Sequence, residues 1–261
     1  MTKKDYSAPA IEKAIAILAR LAETAPLSIN DFHTQLGIPK SSAFVILSTL
    51  ERYQMIEKTP EGKFVLGPML FTLGMAYQKH IDIRRIARPH MQELVDNTRY
   101  TCHLATLQNN RAVYIDKVEG GGFVRFATYV GQALPLHLSG VGKALLMGMS
   151  DDAIEKAVAD QLDPLTEKSH RTVQDVLEDI RNAKETGYAI EEEQMEEGIR
   201  CIGAPIYGPS GDVIASMSLT SLSGDMPAHK LPALGKRLVE TTRAISSELG
   251  YTSWPRDAAP N

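Results

Sequence analysis

The chain has 261 residues, 43% of them apolar and 23% charged, with a formal net charge of −4. That length accommodates one large or two medium domains with a sizeable core, and the composition is that of an ordinary globular protein. No apolar run reaches membrane-spanning length, the N-terminal MTKKDYSAPA lacks the apolar core of a secretory signal, and Cys102 and Cys201 stand at no motif spacing, which points away from a disulfide framework or a structural zinc site. A cytoplasmic protein without cofactor, metal or membrane contact is the expectation. Charge is unevenly spread: the first 80 residues hold nine Lys/Arg against seven Asp/Glu, the remainder 19 against 25. A mildly positive head on an acidic body is consistent with local contact to nucleic acid.

In chain order, Pro9 to Leu21 reads as a helix with Ile11, Ala14, Ile15, Leu18 and Leu21 on one side. Leu27 to Leu36 follows, with Ser28 as N-cap and Ile29, Phe32 and Leu36 inward. Gly37-Ile38-Pro39 is a turn, with Pro39 placed to enter the next helix. There Ala43, Ile46, Leu47 and Leu50 recur at helical spacing, while Ser41, Phe44, Val45 and Ser48 point the opposite way. Hydroxyls and small apolar groups on a free face suit the major groove, where they meet base edges and thymine methyls. An ordinary helical hairpin fits those two helices equally well. Met55–Lys58 and Lys63–Leu66, joined by Thr59-Pro60-Glu61-Gly62, then read as a small hairpin, and three helices followed by a hairpin make a winged helix-turn-helix. Lys58 and Lys63 would neutralise phosphate charge there, or simply form a solvated hairpin edge.

Pro68 to Lys79 is a helix too apolar for a free linker, and a second copy of the chain is the economical partner. Ile83 to Val95 is another, bent at Pro89. From Thr101 the period changes to that of strands: Thr101–Leu107, Arg111–Lys117, Phe123–Tyr129, Tyr188–Glu192, Arg200–Tyr207 and Val213–Thr220. Helices are expected at Gly140–Met149, Asp151–Ala159, Val173–Glu185 and Leu231–Leu249. The whole is α+β, an antiparallel sheet covered by helices. The expected division is a DNA-binding domain over 1–66, a linker helix over 67–82, a sheet domain over 83–253 and a tail over 254–261.

Two stretches of the second half carry chemistry. Ser139 precedes Gly140-Val141-Gly142-Lys143 as a plausible N-cap, and glycines at a helix start let an anion approach free N–H groups. A capped helix with no ligand reads the same way, and the stretch is no P-loop, since His137 stands where Gly is needed and no Ser or Thr follows Lys143. On Val213–Thr220, Val213, Ala215, Met217 and Leu219 share one face and Ser216, Ser218 and Thr220 the other. A row of hydroxyls is more often a wet outer face, but it also lines cavities. Cys201 with His103 or His137 invites a nucleophile reading, yet no cysteine-enzyme motif surrounds it. His90, His103 and His137 match no metal-ligand spacing.

The stretches LGIPKSSAFVILSTLE, RAVYIDKVEG, LPLHLSGVGKALL and GYAIEEEQMEEGIRCIGAPIYGPSGDVIASMSLTS resemble the IclR family of bacterial transcription regulators over nearly the full chain. The resemblance implies a winged helix-turn-helix head, a dimerising linker helix, and a GAF-like effector domain. It also implies homodimers, some paired into tetramers, on palindromic double-stranded operator DNA. Lys40, Arg52, Lys58 and Lys63 would hold phosphates while Ser41, Ser42, Phe44, Val45 and Ser48 face bases. By the same resemblance Gly140, Val141, Glu191, Ile199, Cys201, Ser218 and Thr220 line an effector site suited to a small organic acid. Several positions depart from the family pattern. Phe44-Val45 replaces a usual polar or basic pair, Glu191 a usual Asp or Ser, Gln194 a usual Glu, and Gly208 a usual Asp or Asn. Apolar contact to thymine methyls and an A·T-leaning preference follow from the first.

Overall fold

A computed structural model describes residues 8–78, 82–122 and 124–252. The backbone forms two compact units, divided between residues 81 and 82. The expected tail over 254–261 lies outside the described residues.

The first unit begins with α1 (Pro9–Thr24), α2 (Ile29–Leu36) and α3 (Lys40–Arg52). A reciprocal capping box opens α2: the Ser28 hydroxyl accepts the Asp31 N–H and the Asp31 carboxylate accepts the Ser28 N–H at 2.7 Å. Such a cap is worth about 1 kcal/mol. Gly37 ends α2 in the left-handed region at φ +65°, which is what turns the chain into α3. Strands β1 (Ile56–Lys58) and β2 (Phe64–Leu66) pair antiparallel, and Leu27 adds a bridge to Phe64 on the far side of β2. The core is Ile17, Leu21, Phe32, Ala43, Leu47, Leu50, Ile56 and Phe64. On α1 the inward face is therefore turned from the expected one: Ile17 is fully buried, whereas Ile11 and Ile15 are 61% and 55% exposed. A five-residue apolar set wider than one stripe left the helix phase undetermined by sequence, and contact with α3 selects Ala14, Ile17, Leu18 and Leu21. Helix α4 (Pro68–Gln78) starts from a hydrogen bond of the Met69 N–H to the Gln54 carbonyl, and leaves Phe71 and Leu73 exposed.

The second unit carries α5 (Ile83–Thr98) and a six-stranded antiparallel sheet of β3 (Thr101–Gln108), β4 (Arg111–Val118), β5 (Ala133–Pro135), β6 (Ala189–Glu192), β7 (Ile199–Tyr207) and β8 (Val213–Leu222) in the order β5-β4-β3-β8-β7-β6. Asn109 and Asn110, both at positive φ, make the two-residue turn between β3 and β4. Helix α6 (Gly140–Leu146) lies on β7 and β8, with α7 (Asp151–Val158) and α8 (Val173–Thr186) beyond it; α5 and α9 (Leu231–Glu248) pack on each other and on the sheet. Residues facing α6 alternate along β8 with Ala215, Met217 and Leu219, which point into the apolar layer of the other face.

The expected strand over Phe123–Tyr129 is not one: residues 124–129 have no ladder partners, and Phe123 lies outside the described residues. The edge place beside β4 is taken instead by β5, which pairs Ala133–Pro135 with Arg111–Val113. The segment before it is held by side chains rather than by a ladder, for the reasons below.

Candidate functional site

In the first unit, α3 inserts Ala43, Leu47 and Leu50 into the core and so fixes which side is free. Phe44 and Val45 are 62% and 64% exposed, and Lys40, Ser41 and Ser48 are exposed beside them; Ser42 is half-buried. Arg52 is exposed with its guanidinium 5.2 Å above the Tyr53 ring, Lys58 lies 5.8 Å over Phe64, and Lys63 stands on the same hairpin. Two large apolar side chains kept in water on a helix that has a core face mark a contact surface, and helix, tight turn, helix and hairpin give it the winged form.

In the second unit the register gathers residues far apart in sequence. Glu191 is opposite Cys201, Cys201 opposite Thr220, and Thr220 opposite Thr101, so four strands contribute one row on one face. The next row holds Ser218 and His103. Glu191, Ser218 and Thr220 are buried at 1%, 2% and 5% exposure, so the hydroxyl row is an interior face and not a wet one. Ser216 donates to the Val141 carbonyl at 2.8 Å, which ties α6 to β8. The Thr220 hydroxyl lies 3.3 Å from the Cys201 sulfur and 3.4 Å from Nδ1 of His103, whose Nε2 meets the Thr128 hydroxyl at 2.8 Å. The Glu191 Oε1 accepts the N–H groups of Gln194 and Met195 at 2.7 and 3.2 Å. Burial raises the Glu191 carboxyl above its usual range against those hydrogen bonds, and pushes the Cys201 thiol well up with the help of the Glu191 charge. Burial also lowers His103 to about 3, keeping its ring neutral.

The structure thus brings together Glu191, Cys201, Ser218 and Thr220, with Ile199 two residues before Cys201 on the same strand face. Gly140 is brought against this row by α6, with Val141 following it. A Cβ at position 140 would lie 2.9 Å from Cys201 Cβ, so this glycine exists to let α6 touch β7; Val141 sits in the apolar core. The Ser139 hydroxyl caps the helix, accepting the Gly142 N–H at 3.1 Å.

Three groupings were not foreseen from the sequence, although His103 and Lys143 were named there in other contexts. His103 and Tyr114 stack at 4.4 Å between centroids. Lys117 donates to the carbonyls of Phe126 and Thr128 at 2.8 and 3.0 Å, which with the His103–Thr128 bond pins residues 124–128 over the face. Finally, Lys143, 1% exposed, pairs with Asp179 at 2.5 Å, donates to the Ile190 carbonyl at 2.9 Å, and contacts the Gln194 amide oxygen; His170 holds Asp179 at 2.9 Å. Strand alternation put His103 in phase with Thr101, but only the register reveals that β3 adjoins β8. A cavity of about 440 Å³ opens at the Thr101–Thr220 end of the row, walled by Val124, Phe126 and Leu222.

A winged head followed by a sheet unit with a buried polar face defines a DNA-binding regulator that carries a separate sensing domain. Residues 10–60 match the IclR helix-turn-helix domain and residues 75–247 match the bacterial transcriptional regulator IclR C-terminal domain. The regulator XynR of Escherichia coli K12 is 30% identical over 244 residues, covering 92% of this chain and 97% of its own. The repressor AllR of the same organism is 30% identical over 251 residues, covering 95% and 93%. Among solved structures, the Agobacterium tumefaciens repressor BlcR aligns with a TM-score of 0.78 at 26% identity, covering 95% of this chain and 99% of that one. The chain belongs to the IclR family: it is a DNA-binding regulator with a C-terminal effector domain. Among the described residues no helix is long and apolar enough to cross a membrane.

Proposed function

We propose that the chain is a transcription regulator without a catalytic step, whose operator binding is modulated by a small organic acid bound on the polar face of a GAF-like second unit. The observation that carries this is the continuous polar row Glu191–Cys201–Thr220–Thr101, whose Thr220–Thr101 end lines a cavity. Buried polar groups converging on a partly apolar cavity are the usual make-up of a small-molecule site. Ser218 and Thr220 supply hydroxyls for the acid, Ile199 an apolar wall, Glu191 an acceptor for a ligand hydroxyl, and Gly140 and Val141 the close packing that positions Cys201. In the head, Lys40, Arg52, Lys58 and Lys63 hold phosphates while Ser41, Ser42, Phe44, Val45 and Ser48 face bases. The exposed apolar side chains of α4 support a homodimer, with a dimer of dimers as the larger form.

An effector that binds one dimer arrangement better than another changes the spacing of the two heads and their fit to paired half-sites. Coupling of about 1–3 kcal/mol corresponds to a few-fold to a hundred-fold in operator affinity. Footprinting on DNA flanking the protein's own gene, with and without a panel of small carboxylates, tests the reading. A palindromic footprint that shifts or fades with one acid supports it; no protected site, or one blind to every acid, counts against it. The alternative of a Cys201 nucleophile is disfavoured by the raised thiol, the reverse of an activated cysteine. An iodoacetamide probe should label it no faster than free cysteine.

A further inference from the structure

The cavity at the Thr101–Thr220 end of the polar row carries charge of both signs in its wall. Strand β3 begins where β8 ends, with Thr101 opposite Thr220, so the residues just before β3 and just after β8 flank the same place. There Arg99 and Asp225 both line the hollow of about 440 Å³, together with Val124, Phe126 and Leu222. The Tyr100 hydroxyl donates to the Asp225 carbonyl at 2.7 Å and ties the two sides together. Neither charge is neutralised by a partner: the Arg99 guanidinium gives one hydrogen bond, from Nη2 to the Gly121 carbonyl at 2.8 Å, and neither residue makes an ion pair among the described residues. The acids that line a second hollow beside Arg99 are engaged elsewhere. Asp96 accepts the Gln92 amide at 2.9 Å, and Glu119 pairs with Lys117 at 3.3 Å and with Arg125. The Thr101 hydroxyl, 4% exposed, accepts the Gly120 N–H at 3.1 Å and keeps its own hydrogen to donate. Arg99 also stands at φ +64°, ending α5 in the left-handed region that favours glycine. A long cationic side chain where glycine is the less strained residue is an outlier that points to a use.

We infer that the effector is an amphoteric acid, one that carries an ammonium beside its carboxylate as an α-amino acid does. The inference rests on the effector reading above and narrows the acid. The carboxylate takes the Arg99 guanidinium, a flat fork matched to its two oxygens, with the Thr101 hydroxyl as a further donor. The ammonium goes to Asp225, and the apolar remainder lies on Val124, Phe126 and Leu222. The Thr220 hydroxyl, 3.3 Å from the Cys201 sulfur, joins this end of the cavity to the rest of the row. A zwitterion leaves both wall charges paired. A plain acid of the same skeleton covers Asp225 without pairing it, and a dicarboxylate sets a like charge against it.

Isothermal titration calorimetry of the full chain tests this with L-valine, L-leucine and L-phenylalanine, each set against the 2-hydroxy acid of the same skeleton. At least one amino acid should bind, and about tenfold or more tighter than its hydroxy acid. Arg99→Gly, which suits the left-handed backbone, should weaken that amino acid by about tenfold or more. Asp225→Asn should bring the amino acid and its hydroxy acid to within about threefold of each other. A hydroxy acid that binds wild type as tightly as its amino acid, or binding that Arg99→Gly leaves unchanged, overturns the inference while leaving the effector site standing. If none of the three amino acids binds, the inference is overturned as well, and the operator footprint with the carboxylate panel decides the effector reading separately. Should either variant fail to fold, the wild-type preference for amino acid over hydroxy acid still decides.

Discussion

The two units present their candidate functional side chains in opposite ways. On α3 the candidate DNA-contacting face is in water: Phe44 and Val45 are mostly exposed, and Ala43, Leu47 and Leu50 behind them both aim them and hold the core. On the sheet of the second unit the candidate groups are buried or half-buried and contact one another, from Thr128 through His103 and Thr220 to Cys201. A surface for a large rigid polyanion must stay free, whereas a site for a small molecule must be dry, preorganised and polar at once. The second arrangement is the costlier one, because each buried polar group left without a partner is destabilising.

Substitutions sharpen that contrast. The largest effect is expected where α3 meets its core: Leu47→Ala should destabilise the first unit by about 2–5 kcal/mol and lower its melting transition in calorimetry, abolishing specific and random DNA binding together. Next comes acid. His103 and His137 are buried neutral, at about 3 and about 4 in the folded protein. Their folded values lie below the unfolded one, so the unfolded chain binds more protons and stability falls as pH drops from about 6.5 toward those values, by up to about 1.4 kcal/mol per pH unit for each. Denaturant melts at pH 7 and 5 should show that loss in the second unit, and His103→Gln should make it shallower; an unchanged slope would remove His103 as a cause.

A smaller effect is expected on the exposed face. Ser41→Ala with Phe44→Ala should weaken operator binding by about 1–3 kcal/mol while leaving random duplex binding nearly intact in a fluorescence titration. Equal losses on both would refute the groove-facing assignment. Smallest of all, Lys63→Ala should reduce affinity for every sequence alike and lower the salt slope by about one. If the wing lysines are only a solvated edge, the slope will not move.

How much of this was legible in the sequence follows the same divide. The head is made of local contacts, so helical period, Ser28, Gly37 and Pro39 sufficed to place its elements and the free face of α3. Only the phase of α1 escaped, because Ile11 and Ile15 extend the apolar set beyond the stripe that α3 covers. In the second unit the alternation of Ser216, Ser218 and Thr220 was plain, yet whether that face was wet or buried depended on α6 lying across it. The segment 124–129 looked like a strand because its composition is aromatic and β-branched; what it lacks is a ladder, and Lys117 and His103 hold it instead. Such long-range pairings leave no periodic mark. Gly140 was legible as a helix-start glycine, but that contact with Cys201 also demands its missing side chain was not, because the contact joins segments 61 residues apart.

The account stands or falls on whether the buried face is heard by the exposed one. Fluorescence anisotropy of the full chain on its palindromic site, titrated with the acid identified by footprinting, measures that in one experiment. Wild type should change its operator affinity a few-fold to a hundred-fold on saturation, and Ser218→Ala with Thr220→Ala should bind the operator normally and not respond. An identical operator affinity with and without the acid, or a response that survives the double change, would contradict it.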